Sequence, residues 1–178
     1  MKNPTDVLRD EHVLILRALD ALETAADRLE RGDVVPETWW IDLIAWLRAF
    51  ADGNHHAREE RLLFPAMVKA GVPGEDGGPI TVMLEEHAMG RTLIRDMERS
   101  TQAARATAAH QYISVLRTHI AKENSVLFPL ADALLDAAAQ QSLTRAFEAV
   151  EDDYQRDDSL ARTQAILNRL AGLPGTAR

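Results

Sequence analysis

The chain has no cysteine among its 178 residues. That excludes a disulfide framework, a thiolate ligand and an iron–sulfur cluster held by its own side chains, so any metal must be taken by His, Asp, Glu or Tyr. Aromatic residues make up only 5% against 46% hydrophobic. This is a poor supply for a β-sandwich core and a good one for helices rich in Ala and Leu, so the expected fold class is all-α. Long apolar runs are missing as well. Nothing approaches the roughly 18 residues a membrane span needs, and Met1-Lys2-Asn3-Pro4 offers no apolar signal stretch, which makes a cytoplasmic location the expectation. Positive charge is short: 20 basic residues stand against 28 acidic ones, and the net charge of −8 repels phosphate backbones and anionic lipid. Neither nucleic acid nor membrane is an expected partner, and the length predicts one domain with a real core.

Helical periodicity organises what is present. Pro4 opens a helix whose stripe runs Leu8, His12, Ile15, Leu19 and Leu22 until Arg31-Gly32-Asp33 stops it. Pro36 starts a second, with Trp40, Leu43, Leu47, Ala51, His55, Glu59 and Leu62 at steps of three and four, closed by the stretch from Gly71 to Gly78. Pro65, lacking a backbone donor, is predicted to kink or shorten it. Pro79 opens a third carrying Met83, His87, Ile94 and Met97, and a fourth is predicted from about Thr107 to Ala137 with Tyr112, Leu116, His119 and Glu123, bent at Pro129. A last amphipathic segment over 142–172, with Leu143, Phe147, Val150, Tyr154, Ile166 and Leu170, is expected to pack on the bundle or join two chains.

The chemistry lies in a repeated phrase. His55 and Glu59 are four apart and lead into Leu63-Phe64-Pro65; His119 and Glu123 are four apart and lead into Leu127-Phe128-Pro129. Four residues along a helix put an imidazole and a carboxylate on one face, where both can ligate a cation. Each such helix follows one bearing a lone histidine, His12 after Asp10-Glu11 and His87 after Glu85-Glu86. Two hairpins of one plan would pair antiparallel, bringing four imidazoles and two carboxylates to the centre. A lone histidine on an apolar stripe usually just packs, but burying Glu59 and Glu123 without counter-charge would cost several kcal/mol, roughly, for each. Pairing of those glutamates with Arg58, Arg91 or Lys122 is the competing structural explanation.

These residues, His12, His55, Glu59, His87, His119 and Glu123 with both LeuPhePro tails, resemble the hemerythrin-like, HHE cation-binding domain over residues 5–137. The resemblance implies an up-down-up-down four-helix bundle around two non-haem iron ions, oxo- or hydroxo-bridged and joined by the motif carboxylates. It also exposes departures. Oxygen-carrying members have a second histidine one turn after the third-helix one, where this chain has Arg91, and their last motif is longer and ends in Asp. His56 is a candidate for the missing imidazole, although neighbouring helical positions diverge by about 100°. Because His56 and Glu60 are also four apart, Glu60 defines an alternative register; His55 and Glu59 are preferred because they share their offset to LeuPhePro with His119 and Glu123. Arg91 and Tyr112, each on the metal face, are candidates for acting on a bound ligand; packing and an ordinary salt bridge are their plainer roles. His110 has no motif partner and reads as surface.

The leading expectation is a di-iron protein that binds O2, hydrogen peroxide or nitric oxide at an open position, with peroxide or nitric oxide handling favoured over oxygen storage and catalase-like turnover as the enzymatic form. A sensor whose C-terminal segment passes the metal or ligand state to a protein partner is the alternative. Structural zinc is disfavoured, since six or seven N and O donors exceed one tetrahedral ion. A zincin HExxH pair is absent, and no histidine follows a glutamate by three, which sets aside the ferritin-like carboxylate plan.

Overall fold

The computed structural model describes residues 2–75, 77–151, 165, 168 and 169. Among them every regular element is helical, so the all-α expectation holds. Helix α1 is Pro4–Glu30; α2 spans 37–69, α3 is Pro79–Arg99, α4 spans 102–134 and α5 is Ala137–Glu151. The fourth helix begins at Gln102 rather than near Thr107, because Ala103, Ala104 and Ala106 are strong helix formers that extend it back to Thr101. Of the amphipathic segment expected over 142–172, residues 142–151 fall within α5, which begins earlier, at Ala137; Tyr154, Ile166 and Leu170 lie outside the described residues. No helix of the described residues is long and apolar enough to cross a membrane.

Glycines stop α1 and α2 as the sequence suggests. Gly32 and Gly71 have φ of +81° and +102°. In each case the residue after the glycine donates its N–H back across the turn, Asp33 to the Arg28 carbonyl at 2.9 Å and Val72 to the Met67 carbonyl at 3.0 Å, a left-handed C-terminal cap that only glycine adopts cheaply.

The prolines do something other than simply bend. In α2 and α4 the segments Glu59–Leu63 and Glu123–Leu127 are wound as π-helix, with the Phe64 N–H reaching the Glu59 carbonyl and the Phe128 N–H the Glu123 carbonyl. A proline one residue further on clashes with the carbonyl four positions back; one wide turn absorbs that clash, and the helix then resumes. Upstream, Leu47–His56 is also π-wound.

Two apolar clusters fill the interior. One contains Ile15, Leu19, Leu47, Ile94 and Leu116, the other Leu8, Leu63, Phe64, Met83 and Phe128. Along α1 the order is second cluster, His12, first cluster; α2 runs the other way through His55; α3 and α4 alternate again through His87 and His119. A polar layer thus crosses a four-helix bundle of alternating direction, with apolar packing on both sides. Helix α5 closes the second cluster with Leu143 and Phe147 and lies against α1 and the π-turn Glu59–Leu63.

Candidate metal centre

The residues of the polar layer fall into two groups, each with its donor atoms within 4.8 Å of one another: His12, His55, Glu59 and Glu123 in one, His56, Glu59, His87 and His119 in the other. All are buried. The six motif residues therefore converge, and His56 joins them. The angular divergence that seemed to argue against His56 is what places it, since His55 turns toward His12, with ring centroids 4.6 Å apart, while His56 stacks on His87 at 3.8 Å. Two neighbouring residues serve two neighbouring pockets.

Glu59 sits between the pockets. Its Oε1 lies 3.4 Å from His55 Nε2 and its Oε2 lies 3.5 Å from His87 Nε2. Glu123 Oε2 is 3.1 Å from His12 Nε2 and 3.3 Å from His119 Nε2. Both oxygens of both glutamates, and the Nε2 atoms of His12 and His55, are buried without a hydrogen-bond partner. Nature rarely leaves such groups orphaned in an interior. Their separations suit donors around shared cations: two ligands about 2.1 Å from one ion at right angles are about 3.0 Å apart, and His87 Nε2 and His119 Nε2 are 3.0 Å apart.

The outward-facing ring nitrogens are held in turn. His12 Nδ1 pairs with Asn124 Oδ1 at 2.9 Å, His55 Nδ1 with Glu11 at 2.9 Å, His87 Nδ1 with Glu60 at 2.8 Å and His119 Nδ1 with Glu86 at 3.0 Å. His56 Nδ1 faces Asp52 at 3.6 Å, beyond direct hydrogen-bond distance. Fixing Nδ1 as the protonated nitrogen leaves Nε2 as the lone-pair donor, the arrangement of metal-ligating histidines. The competing partners of the inner glutamates pair instead with these outer acids: Arg58 with Glu11, Lys122 with Glu86, and Arg91 with both Asp52, at 2.7 Å, and Glu60, at 2.6 Å. Phe64 and Phe128 of the LeuPhePro tails lie face to face with His87 and His12.

Electrostatics follow from this geometry. Burial and the neighbouring His12 press His55 well below the usual imidazole range, and burial with His87 does the same to His56. Burial pulls His119 down, but Glu123 and Glu86 outweigh it and its net shift is upward. Burial and the facing Glu123 push the Glu59 carboxyl well up, whereas on Glu123 burial is overcome by His119 and His12 and the shift is down. Of the two facing carboxyls, Glu59 is thus the one reluctant to ionise.

Glu60 belongs to neither ligand group; it backs His87 and pairs with Arg91. Arg91 turns outward to Asp52 and Glu60, with about a third of its side chain exposed. Tyr112 is buried in the first apolar cluster, its phenol pushed up by burial and by Asp52, and it too lies outside both groups. His110 is half-buried beside Asp27 and Glu30. Sequence reasoning gave Glu11, Asp52 and Asn124 no role, and offered Glu86 only as a salt-bridge partner of Arg91, whereas Glu86 pairs with Lys122 and His119. A signal existed in the repeat: an acid precedes each lone histidine, and a cation, Arg58 or Lys122, precedes each motif glutamate.

A helical bundle with a buried His and Glu layer, carboxylates shared between two pockets, is built as a metal-binding protein. The chain belongs to the hemerythrin family, its residues 3–131 matching the hemerythrin HHE cation-binding domain. An uncharacterized protein of Mycobacterium tuberculosis is 27% identical to it over 180 residues, covering 96% of this chain and 68% of its own. Proteins named iron-sulfur cluster repair protein YtfE, from Dickeya chrysanthemi and Escherichia coli, are 36% and 33% identical over 90 residues, 44% of this chain and 40% of theirs. No solved structure matches the chain.

Proposed function

We propose that the two pockets hold two non-haem iron ions, with His12 and His55 serving one, His56, His87 and His119 the other, and Glu59 and Glu123 between them, and that the protein reacts with hydrogen peroxide or nitric oxide at the two-histidine pocket. The observation that carries this reading is the orphaned, buried state of all four inner carboxylate oxygens, with Glu59 dividing its pair between the pockets. A pair of such ions supplies two reducing equivalents and an open coordination position for a small diatomic or peroxidic ligand. The chain's own share is to keep Nε2 of His12, His55, His87 and His119 unprotonated, to exclude water with Phe64 and Phe128, and to leave one pocket poorer in donors. With His56 counted, only the two-histidine pocket is short of an imidazole, so the small ligand is assigned there. Likeness to proteins named for iron-sulfur cluster repair favours handling of a damaging oxidant over storage of O2. Under this reading Glu60 is an outer partner of His87, and Arg91 and Tyr112 act through neighbours or through packing instead of on the ligand.

Metal content and an optical spectrum of the purified protein, before and after peroxide and after nitric oxide, test it. Two irons per chain with a near-ultraviolet charge-transfer band that changes on either addition support the reading. One zinc, or a folded chain with no metal after anaerobic ferrous loading, overturns it. A sensing role remains the second reading, favoured by the contact between α5 and the centre described next.

A further inference from the structure

The two halves of the metal layer are built alike, but one is sealed by an extra helix. In each half the cation before the motif glutamate holds the acid that backs the motif histidine: Arg58 holds Glu11 on His55, and Lys122 holds Glu86 on His119. Lys122 has 39% of its side chain exposed, whereas Arg58 has 1%. What covers Arg58 is α5: the guanidinium lies over the Phe147 ring, 5.6 Å from its centroid, and α5 rests on the π-turn Glu59–Leu63. Phe147 is itself buried, in the apolar cluster with Leu63 and Leu8.

We propose that Phe147 and Arg58 are positioning residues of the two-histidine pocket, and that α5 sets the hold of that pocket on its metal through the relay from Phe147 to Arg58, Glu11 and His55. The inference rests on the di-iron reading given above. A buried guanidinium needs a fixed partner on every side. The aromatic face gives it one that water cannot replace without solvating the Arg58–Glu11 pair. Without the ring, Arg58 is free to relax toward solvent, Glu11 loses its orientation, and the His55 imidazole loses the anchor that aims Nε2 inward. The three-histidine pocket has no such dependence, since its outer acids are held by Lys122 and Arg91 on the other helices.

The test is the release of iron from the fully loaded full-length chain to a ferrous chelator, in Phe147→Leu and Phe147→Met, which remove the ring, Phe147→Tyr, which keeps it, and Lys122→Met, which loosens the opposite half. Loss of an outer partner costs roughly 10–100-fold in metal affinity. For a residue one contact further out, about threefold to tenfold faster release of one iron per chain is the corresponding expectation. Phe147→Leu and Phe147→Met should accelerate one of the two phases, Phe147→Tyr should retain wild-type kinetics, and Lys122→Met should accelerate the other phase. Unchanged release in both ring-less variants, or acceleration of both phases together in proportion to lost thermal stability, overturns the proposal while leaving the di-iron reading intact. A wild-type chain that never holds two irons overturns both.

Discussion

Asn124 and Glu60 are counterparts that differ in charge. Each directly follows a motif glutamate, and each backs the lone histidine of the opposite half, Asn124 on His12 at 2.9 Å and Glu60 on His87 at 2.8 Å. Only Glu60 gives its imidazole anionic support, which makes the ring a stronger donor. Asn124→Asp should equalise the two. Asn124 is exposed, so the change should leave metal-free stability within about 0.5 kcal/mol. It should lower the midpoint potential of one iron, read by redox titration of the optical spectrum; an unmoved potential would show that the amide and the acid are equivalent there.

His56 and Ile120 are likewise counterparts, each following a motif histidine. His56→Ile should therefore fold, since the other half already accommodates isoleucine at this place. It should weaken one iron by more than the roughly 10–100-fold that loss of an outer partner costs. Metal stoichiometry after gel filtration against chelator should fall from two toward one.

Arg91 stands where the first half has Leu16, one turn beyond the lone histidine. Its guanidinium joins Asp52, which faces His56, to Glu60, which backs His87. The residues that break the repeat, His56, Asp52, Glu60 and Arg91, thus form one connected network. Arg91→Leu should weaken the three-histidine pocket about tenfold. In combination with His56→Ile its effect should be much less than additive, because both act on one network. Full additivity in metal-binding titrations would break the link.

Glu59 carries a carboxyl whose folded-state pKa is raised, first by burial and then by Glu123. Its neutral form favours folding at pH below the ordinary carboxylate range, and that contribution is lost as pH rises through the raised value. At neutral pH the metal-free chain bears the cost of this group. Glu59→Gln should accordingly raise metal-free stability at pH 7 by about 1–3 kcal/mol, the scale of an unsatisfied buried polar group, and abolish the gain in melting temperature that metal gives the wild type. A less stable metal-free variant would contradict the assignment.

His55, His56 and His87 shift the other way, depressed chiefly by burial. A histidine held neutral in the fold is protonated first in the unfolded chain, so its contribution is present above the unfolded value of about 6.5 and lost as pH falls below it. Glu59 and His119, both raised, work in the opposite sense, so the check is differential: the urea midpoint of metal-free His87→Phe relative to wild type should rise as pH falls below about 6.5.

Periodicity made the bundle and the six motif residues legible, because an apolar stripe interrupted by His and Glu at the same step is a property of one helix. The outer acids were hidden for the opposite reason. Glu11 acts on His55 and Glu86 on His119, each across a helix pair, and no spacing within a single helix encodes such a pairing. His56 was doubtful because neighbouring helical positions diverge by about 100°; two adjacent pockets turn that divergence from His55 into a reason for its presence. Pro65 and Pro129 announced irregularity but not its kind, since kink, stop and π-turn all answer a missing donor and a steric clash. Ala103, Ala104 and Ala106 carried the fourth helix earlier than the stripe alone suggested.

The outer supports run from α1 to α2, from α2 to α3, from α3 to α4, and from α4 back to α1. They form a ring that closes only at Asn124. A chain still on the ribosome with that residue inside the exit tunnel has no completed pocket to offer. The last support of the layer is therefore also the last of its residues to be synthesised, and the fourth helix alone decides whether the outward nitrogen of His12 is held.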